Sequence, residues 1–134
     1  MAFAGKNVFI TGGSSGIGKA TALQLAAAGA NLFILARDPR RLAGALEEIR
    51  AAAPAGSAIE GIPGDVRAFG EVCAAVGGMV DAGHIPDYLF NFAGIAHPAP
   101  FHELPLETFR DMMDTNYFGT VHTVKAVAPL MMCR

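Results

Sequence analysis

Eight residues near the amino end, Thr11-Gly12-Gly13-Ser14-Ser15-Gly16-Ile17-Gly18, combine glycines and hydroxyls in a spacing suited to holding an anion. Glycines at 12, 16 and 18 permit a tight turn and let backbone come close to a ligand, because no Cβ intervenes. The run before them, Asn7-Val8-Phe9-Ile10, reads as a buried strand. The run after them, Lys19 to Ala28, is rich in Ala and Leu and reads as a helix. Strand, glycine turn and helix together are the context of a phosphate-binding loop. The free N–H groups and the dipole of the first helical turn favour negative charge there. The spacing is not G-x-G-x-x-G, and no Gly-Lys-Ser/Thr closes it as a P-loop. The motif reads as a dinucleotide site, and the plain alternative is a strand-to-helix turn without a ligand.

Dinucleotide folds place the residue that reads the ribose about twenty positions further on. Ala36-Arg37-Asp38-Pro39 stands there. Asp38 falls near the distance at which an acid takes the 2′-hydroxyl, but Asp followed by Pro is the order of an N-cap and a first helical residue. Arg37 is then free to meet a 2′-phosphate, or is a solvated surface charge. Further along, Asn116 shares a helical face with Phe109, Met113 and Thr120, which sets an amide among apolar neighbours. If buried, that amide needs partners. His84, His97, His102 and His122 pair with no Cys or carboxylate at metal or triad spacing, so loop and surface roles are expected. Cys73 and Cys133 lie in helical patterns and read as buried or incidental thiols, with no metal site.

Alternating strand and helix patterns position these residues, which implies an α/β fold with a parallel sheet between helices. The first helix ends at Gly29. Asn31 to Ala36 is the second strand. The second helix runs from Pro39 to Ala53, with Leu42, Leu46 and Ile49 on one apolar face, until Pro54-Ala55-Gly56 breaks it. Ser57 to Pro63 is the third strand and Ala68 to Ala82 the third helix, its continuity weakened by Gly77-Gly78. Asp87 to Phe92 is the fourth strand. A loop with Pro98, Pro100 and Pro105 leads to one long helix, Leu106 to Met132, which Pro129 must end or kink. Right-handed crossovers suggest strand order 3-2-1-4, with a ligand crevice at the carboxyl ends of strands one and four.

A chain of 134 residues, 52% hydrophobic and 16% charged, can bury a real core as about one domain. A net charge of −2 leaves no nucleic-acid footprint. No apolar run approaches the ~18 residues of a membrane span. The first six residues lack the order of a signal peptide. A cytoplasmic protein is the default expectation.

The pattern T-G-x-x-x-G-x-G at Thr11 to Gly18 resembles the short-chain dehydrogenase/reductase family, and the resemblance runs from Lys6 to Met132. It implies a doubly wound Rossmann-type sheet and a nicotinamide cofactor, held by Gly12, Ser14, Ser15, Gly16, Ile17 and Gly18. A small residue followed by Arg, here Ala36-Arg37, goes in this family with NADP, with NAD the alternative. Asp65-Val66 matches the family's Asp-Val pair at the adenine; a turn-stabilising Asp is an equal reading. Asn91-Phe92-Ala93-Gly94 is similar to the family's Asn-Asn-Ala-Gly, with Phe92 in place of the second Asn. There the small Ala93 and Gly94 let the ribose pass close to backbone, and Asn91 would bond within the sheet. Asn116-Tyr117-Phe118-Gly119 matches the family's Asn-x-x-Gly, whose Asn holds a water in the catalytic proton relay. Within the family, Gly94 to Pro98 and Met113 to Thr120 look like 3-ketodihydrosphingosine reductases. The substrate implied is a small carbonyl or alcohol compound, lipid-like in that subgroup, and a homo-oligomer is expected.

Family catalysis also uses a Ser after the fifth strand and a Tyr-x-x-x-Lys. Tyr88 and Tyr117 are the only tyrosines, and Phe92 and Val121 stand four residues after them. The resemblance therefore implies the cofactor-binding amino-terminal part of such an enzyme, ending before the fifth strand. Three readings follow: an NADP-dependent oxidoreductase represented by this part, a dinucleotide-binding module without turnover, or an assembly partner that offers the open edge of strand four.

Overall fold

The apolar runs pair side by side in the computed structural model, which describes residues 2–134. Strands β1 (Asn7–Thr11), β2 (Asn31–Ala36), β3 (Ile59–Pro63) and β4 (Tyr88–Asn91) form one parallel sheet in the order β3-β2-β1-β4. Central β1 pairs on both sides, Ile10 with Ile34 of β2 and Thr11 with Asn91 of β4. Both its faces are covered, so Val8, Phe9 and Ile10 are all buried, as parallel strands require. Alternation divides the core in two. Val8, Ile10, Leu32 and Ile34 meet helices α1 (Gly16–Ala27) and α2 (Pro39–Ala52) on one face. Phe9, Phe33 and Leu35 meet α3 (Phe69–Asp81) and Val127 of the last helix on the other.

Several boundaries shift. α1 begins at Gly16, three residues before the expected Lys19, because the glycine turn itself enters the helix. β3 starts at Ile59, not Ser57, and β4 is confined to Tyr88–Asn91. α3 continues through Gly77-Gly78; each Gly costs ~1 kcal/mol against Ala, and burial of Val72, Ala75, Val76 and Met79 outweighs it.

The largest correction concerns the last helix. It divides into α4 (Leu106–Met112), a π-helical segment Met113–Phe118, and α5 (Gly119–Met132). Pro129 lies inside α5, and the helix ends three residues later. The π segment changes the register, so the face of Phe109, Met113, Asn116 and Thr120 does not turn inward. Thr115, Gly119, Thr123 and Val127, spaced by four, are buried in its place. Met113, Tyr117, Phe118, Val121 and Val124 are exposed.

Side chains tie the amino ends of the strands together. Asn7 Oδ1 accepts from Asn31 Nδ2 at 2.9 Å and meets His84 Nδ1 at 3.0 Å, while Asn31 Oδ1 accepts from the Ala58 N–H at 2.9 Å. Asp87 Oδ2 accepts from the Asn7 N–H at 2.8 Å, and Arg134 also pairs with Asp87. His84 lies in a loop as expected but is not at the surface, and His122 lies in α5. Both are half-buried, and His122 Nδ1 sits 2.6 Å from the Val66 carbonyl oxygen, whereas His97 and His102 are exposed in the loop. Cys73 and Cys133 are free and exposed. No helix among the described residues is long and apolar enough to cross a membrane, and no group of His, Cys, Asp and Glu could hold a metal.

Burial alone would raise the Asp87 carboxyl, but the Asn7 N–H and Arg134 hold it below the ordinary carboxylate range. A depressed carboxylate contributes stability that is present above its unfolded pKa, about 3.9, and lost as pH falls through the lower folded value. Asp87→Asn should therefore be less stable than wild type at neutral pH, with the difference shrinking below about pH 4. Urea unfolding across a pH series measures it, and a difference independent of pH would remove Asp87 from the acid response.

Candidate cofactor site

At the carboxyl end of β1 the chain cannot continue as ordinary strand, because Gly12 has φ +73. A Cβ there would lie 2.5 Å from the Ala93 nitrogen and 2.6 Å from the Phe92 carbonyl carbon. A Cβ on Gly18 would overlap the Gly12 carbonyl oxygen. These two glycines let the loop lie directly on β4 and let α1 start directly beneath it. Hydrogen bonds complete the seat: the Gly12 N–H donates to Leu35 O at 3.0 Å, Phe92 N–H to Thr11 O at 2.9 Å, and Ala93 N–H to Thr11 Oγ1 at 3.4 Å. Gly16 differs. It has φ +56, and a Cβ on it would meet nothing within 4 Å.

The start of α1 is electrically open. Its N-cap, Ser15, makes no side-chain cap bond, and the first turn holds no acidic residue. Unsatisfied N–H groups and the positive end of the dipole therefore face the cleft. Lys19 is drawn away, its Nζ 2.8 Å from Glu48 of α2.

The cleft has a volume of about 780 Å³. Gly12 and Ser14 through Gly18 line one side, and Ala93, Gly94 and Ile95 the other. Arg37 and Asp38 border it beyond β2, and Asp65 and Val66 beyond β3. Asp38 is consumed as the N-cap of α2, accepting from the Arg40 and Arg41 N–H groups at 2.9 and 3.2 Å. Asp65 stabilises its own turn while lining the cleft: Oδ1 accepts from the Arg67 N–H at 2.9 Å, and Oδ2 from the Arg67 guanidinium at 2.8 Å. Partial burial pushes the Asp65 carboxyl up, but the hydrogen bonds and charge of Arg67, helped by Arg37, leave it below its ordinary value.

Two expected residues are placed elsewhere. Asn91 does not line the cleft and does not bond within the sheet. Its Oδ1 accepts from the buried Thr123 hydroxyl at 2.5 Å, which fastens β4 to α5. Asn116 is exposed, not buried among apolar neighbours, because of the π register. Both ends of its amide are engaged: Oδ1 accepts from the Ile95 N–H and Nδ2 donates to Ile95 O, both at 2.8 Å. It thereby fixes the loop that forms the second cleft wall.

Sequence reasoning missed several lining residues, among them Arg41, Arg67 and Thr115. Arg41 could have been found, since it stands four residues after Arg37, one helical turn on. Arg67 follows Asp65 by two, an Asx-turn spacing. Thr115 carried no signal in an α-helical reading, because the π segment turns it inward.

The arrangement fits an extended dinucleotide: a close-packed glycine bed, an open helix terminus, and cations at the far end of β2. A family model described as short chain dehydrogenase matches residues 6–134. A 3-ketodihydrosphingosine reductase of Cryptococcus neoformans is 34% identical over 131 residues, 95% of this chain and 38% of that protein. A solved NAD+-bound xylitol dehydrogenase superposes with a TM-score of 0.92 at 30% identity, covering 99% of this chain and 50% of that one. L-sorbose reductase from Gluconobacter frateurii, solved with NADPH and L-sorbose, gives 0.89 at 28% identity, covering 98% and 49%. The chain thus spans half or less of the length of these relatives.

Proposed function

Because the chain belongs to the short-chain dehydrogenase family, we propose that it binds NADP and serves hydride transfer between the nicotinamide and a carbonyl or alcohol substrate. The observation that carries the choice of NADP is at the end of β2. Asp38, which would otherwise take a ribose hydroxyl, is committed to capping α2. Arg37 and Arg41 border the cleft, and neither forms an ion pair among the described residues. Two cations and no free carboxylate suit a 2′-phosphate.

A nicotinamide cofactor, when bound, supplies or accepts the hydride. The chain's own residues hold it. Gly12 and Gly18 seat the loop on β4, Gly16 leaves open space where its pyrophosphate can come close to backbone, and the amino end of α1 offsets the phosphate charge. Asn116 holds Ile95 through both its side-chain groups, so a relay water would rest on its main-chain carbonyl. That oxygen also accepts from Thr120 Oγ1 at 3.1 Å. Likeness to a 3-ketodihydrosphingosine reductase supports a long-chain ketone as the substrate class.

Fluorescence titration with NADPH and NADH tests the cofactor. NADPH should bind more tightly. Arg37→Ala should weaken NADPH by roughly ten- to a hundredfold, the range of a lost charged hydrogen bond of ~1.5–3 kcal/mol, and leave NADH unchanged. Equal affinities in the wild type would remove the NADP assignment.

A further inference from the structure

We propose that the Thr115 hydroxyl is a hydrogen-bonding contact to the bound dinucleotide, kept free for it by the π-helical segment. This rests on the reading of the cleft as a cofactor site. Thr115 is 4% exposed and lines the cleft, and its Oγ1 is buried with no hydrogen-bond partner. No other buried side-chain polar atom among the described residues is left so. Buried hydroxyls are ordinarily bonded, and an orphan is costly.

Neighbouring threonines show the usual solution. A helical Thr returns its hydroxyl to a carbonyl one turn back. Thr120 Oγ1 donates to Asn116 O at 3.1 Å, and Thr123 Oγ1 sits 2.9 Å from Thr120 O while also meeting Asn91. Thr115 lies within the π segment, where the ladder is offset by one residue, and makes no such bond. Its surroundings point the same way. Val66 is on one side of the cleft and the Ala93-to-Ile95 wall is on the other, both already assigned to the ligand. Single π turns recur at functional sites because they turn a chosen side chain out of the regular ladder. Here the effect is to direct a donor and acceptor into the cleft without spending it on the helix.

Thr115→Val and Thr115→Ser separate the possibilities. Valine keeps the shape and removes the hydroxyl, so the ligand-free chain should melt at the same temperature or higher. Its affinity for both NADPH and NADH should fall about tenfold, the loss of one hydrogen bond. Serine should bind within twofold of wild type. Wild type that binds while Thr115→Val binds equally well overturns this contact alone. A valine variant whose ligand-free melting temperature drops in step with its affinity makes the hydroxyl structural and also overturns it. Wild type that binds neither cofactor overturns the reading of the cleft, and this contact with it.

Discussion

Gly12→Ala is expected to lose a large part of the chain's stability, and Gly16→Val to keep the fold and lose the cofactor. Both glycines belong to one motif and both have positive φ. For either, a side chain in the left-handed region costs roughly 1–2 kcal/mol. Gly12 then adds a collision with the backbone of Phe92 and Ala93, which cannot rotate aside. Relief requires β4 to move, and overpacking of that kind adds typically ~1–3 kcal/mol. The sum is large against a total stability of ~5–15 kcal/mol. At Gly16 no atom of the chain lies within 4 Å of the new Cβ, so the valine projects into space open to the ligand. Circular dichroism melting beside an NADPH titration distinguishes the two. Should Gly16→Val unfold along with Gly12→Ala, Gly16 serves the turn and not the ligand.

The 134-residue chain is expected to reduce no ketone at a measurable rate, even with NADPH bound. Hydride addition to a carbonyl leaves an oxyanion that must be protonated, and a positioned general acid contributes ~10²–10⁴-fold. Tyr88 and Tyr117 are 37% and 55% exposed, and neither borders the cleft. Neither has a Lys four residues on, and an unassisted phenol has a pKa near 10, poor for proton transfer at neutral pH. NADPH consumption against a panel of ketones, including a long-chain 3-ketosphinganine, measures this. Robust turnover that vanishes on changing Tyr117 or Asn116 would reveal a different catalytic set.

The sheet was legible because β1 and β2 are continuous apolar runs and the glycine motif fixes the chain's direction between them. Strand order followed from crossover handedness. The cap at Asp38 was legible from Pro39 alone. The inward face of α5 was not. Its buried stripe, Thr115, Gly119, Thr123 and Val127, is small and half polar, while larger apolar residues at 113, 117, 121 and 124 stay exposed. A search for hydrophobic periodicity follows the large residues and selects the wrong face. One π turn compounds the error, because every side chain beyond it is read in a shifted register. Asn116 is therefore exposed where burial was expected, and Thr115, which carried no signal, is buried. Asn91 was expected to bond within the sheet, but its partner, Thr123, belongs to that same illegible stripe.

The fastening of the glycine loop to β4 has a thermodynamic consequence. A mobile loop would have to be immobilised when ligand arrives, at ~1–2 kcal/mol of backbone entropy per residue. Thr11 and Gly12 are already held by Leu35, Phe92 and Ala93 before any ligand is present. The ordering cost is met once, during folding, so none of the ligand's contact energy is spent on immobilising these residues. The same coupling makes affinity sensitive to substitutions that never touch the ligand. Whatever loosens β4, including the Asn91–Thr123 bond on the far side of the sheet, returns freedom to the loop and so returns part of that entropy cost to the binding step.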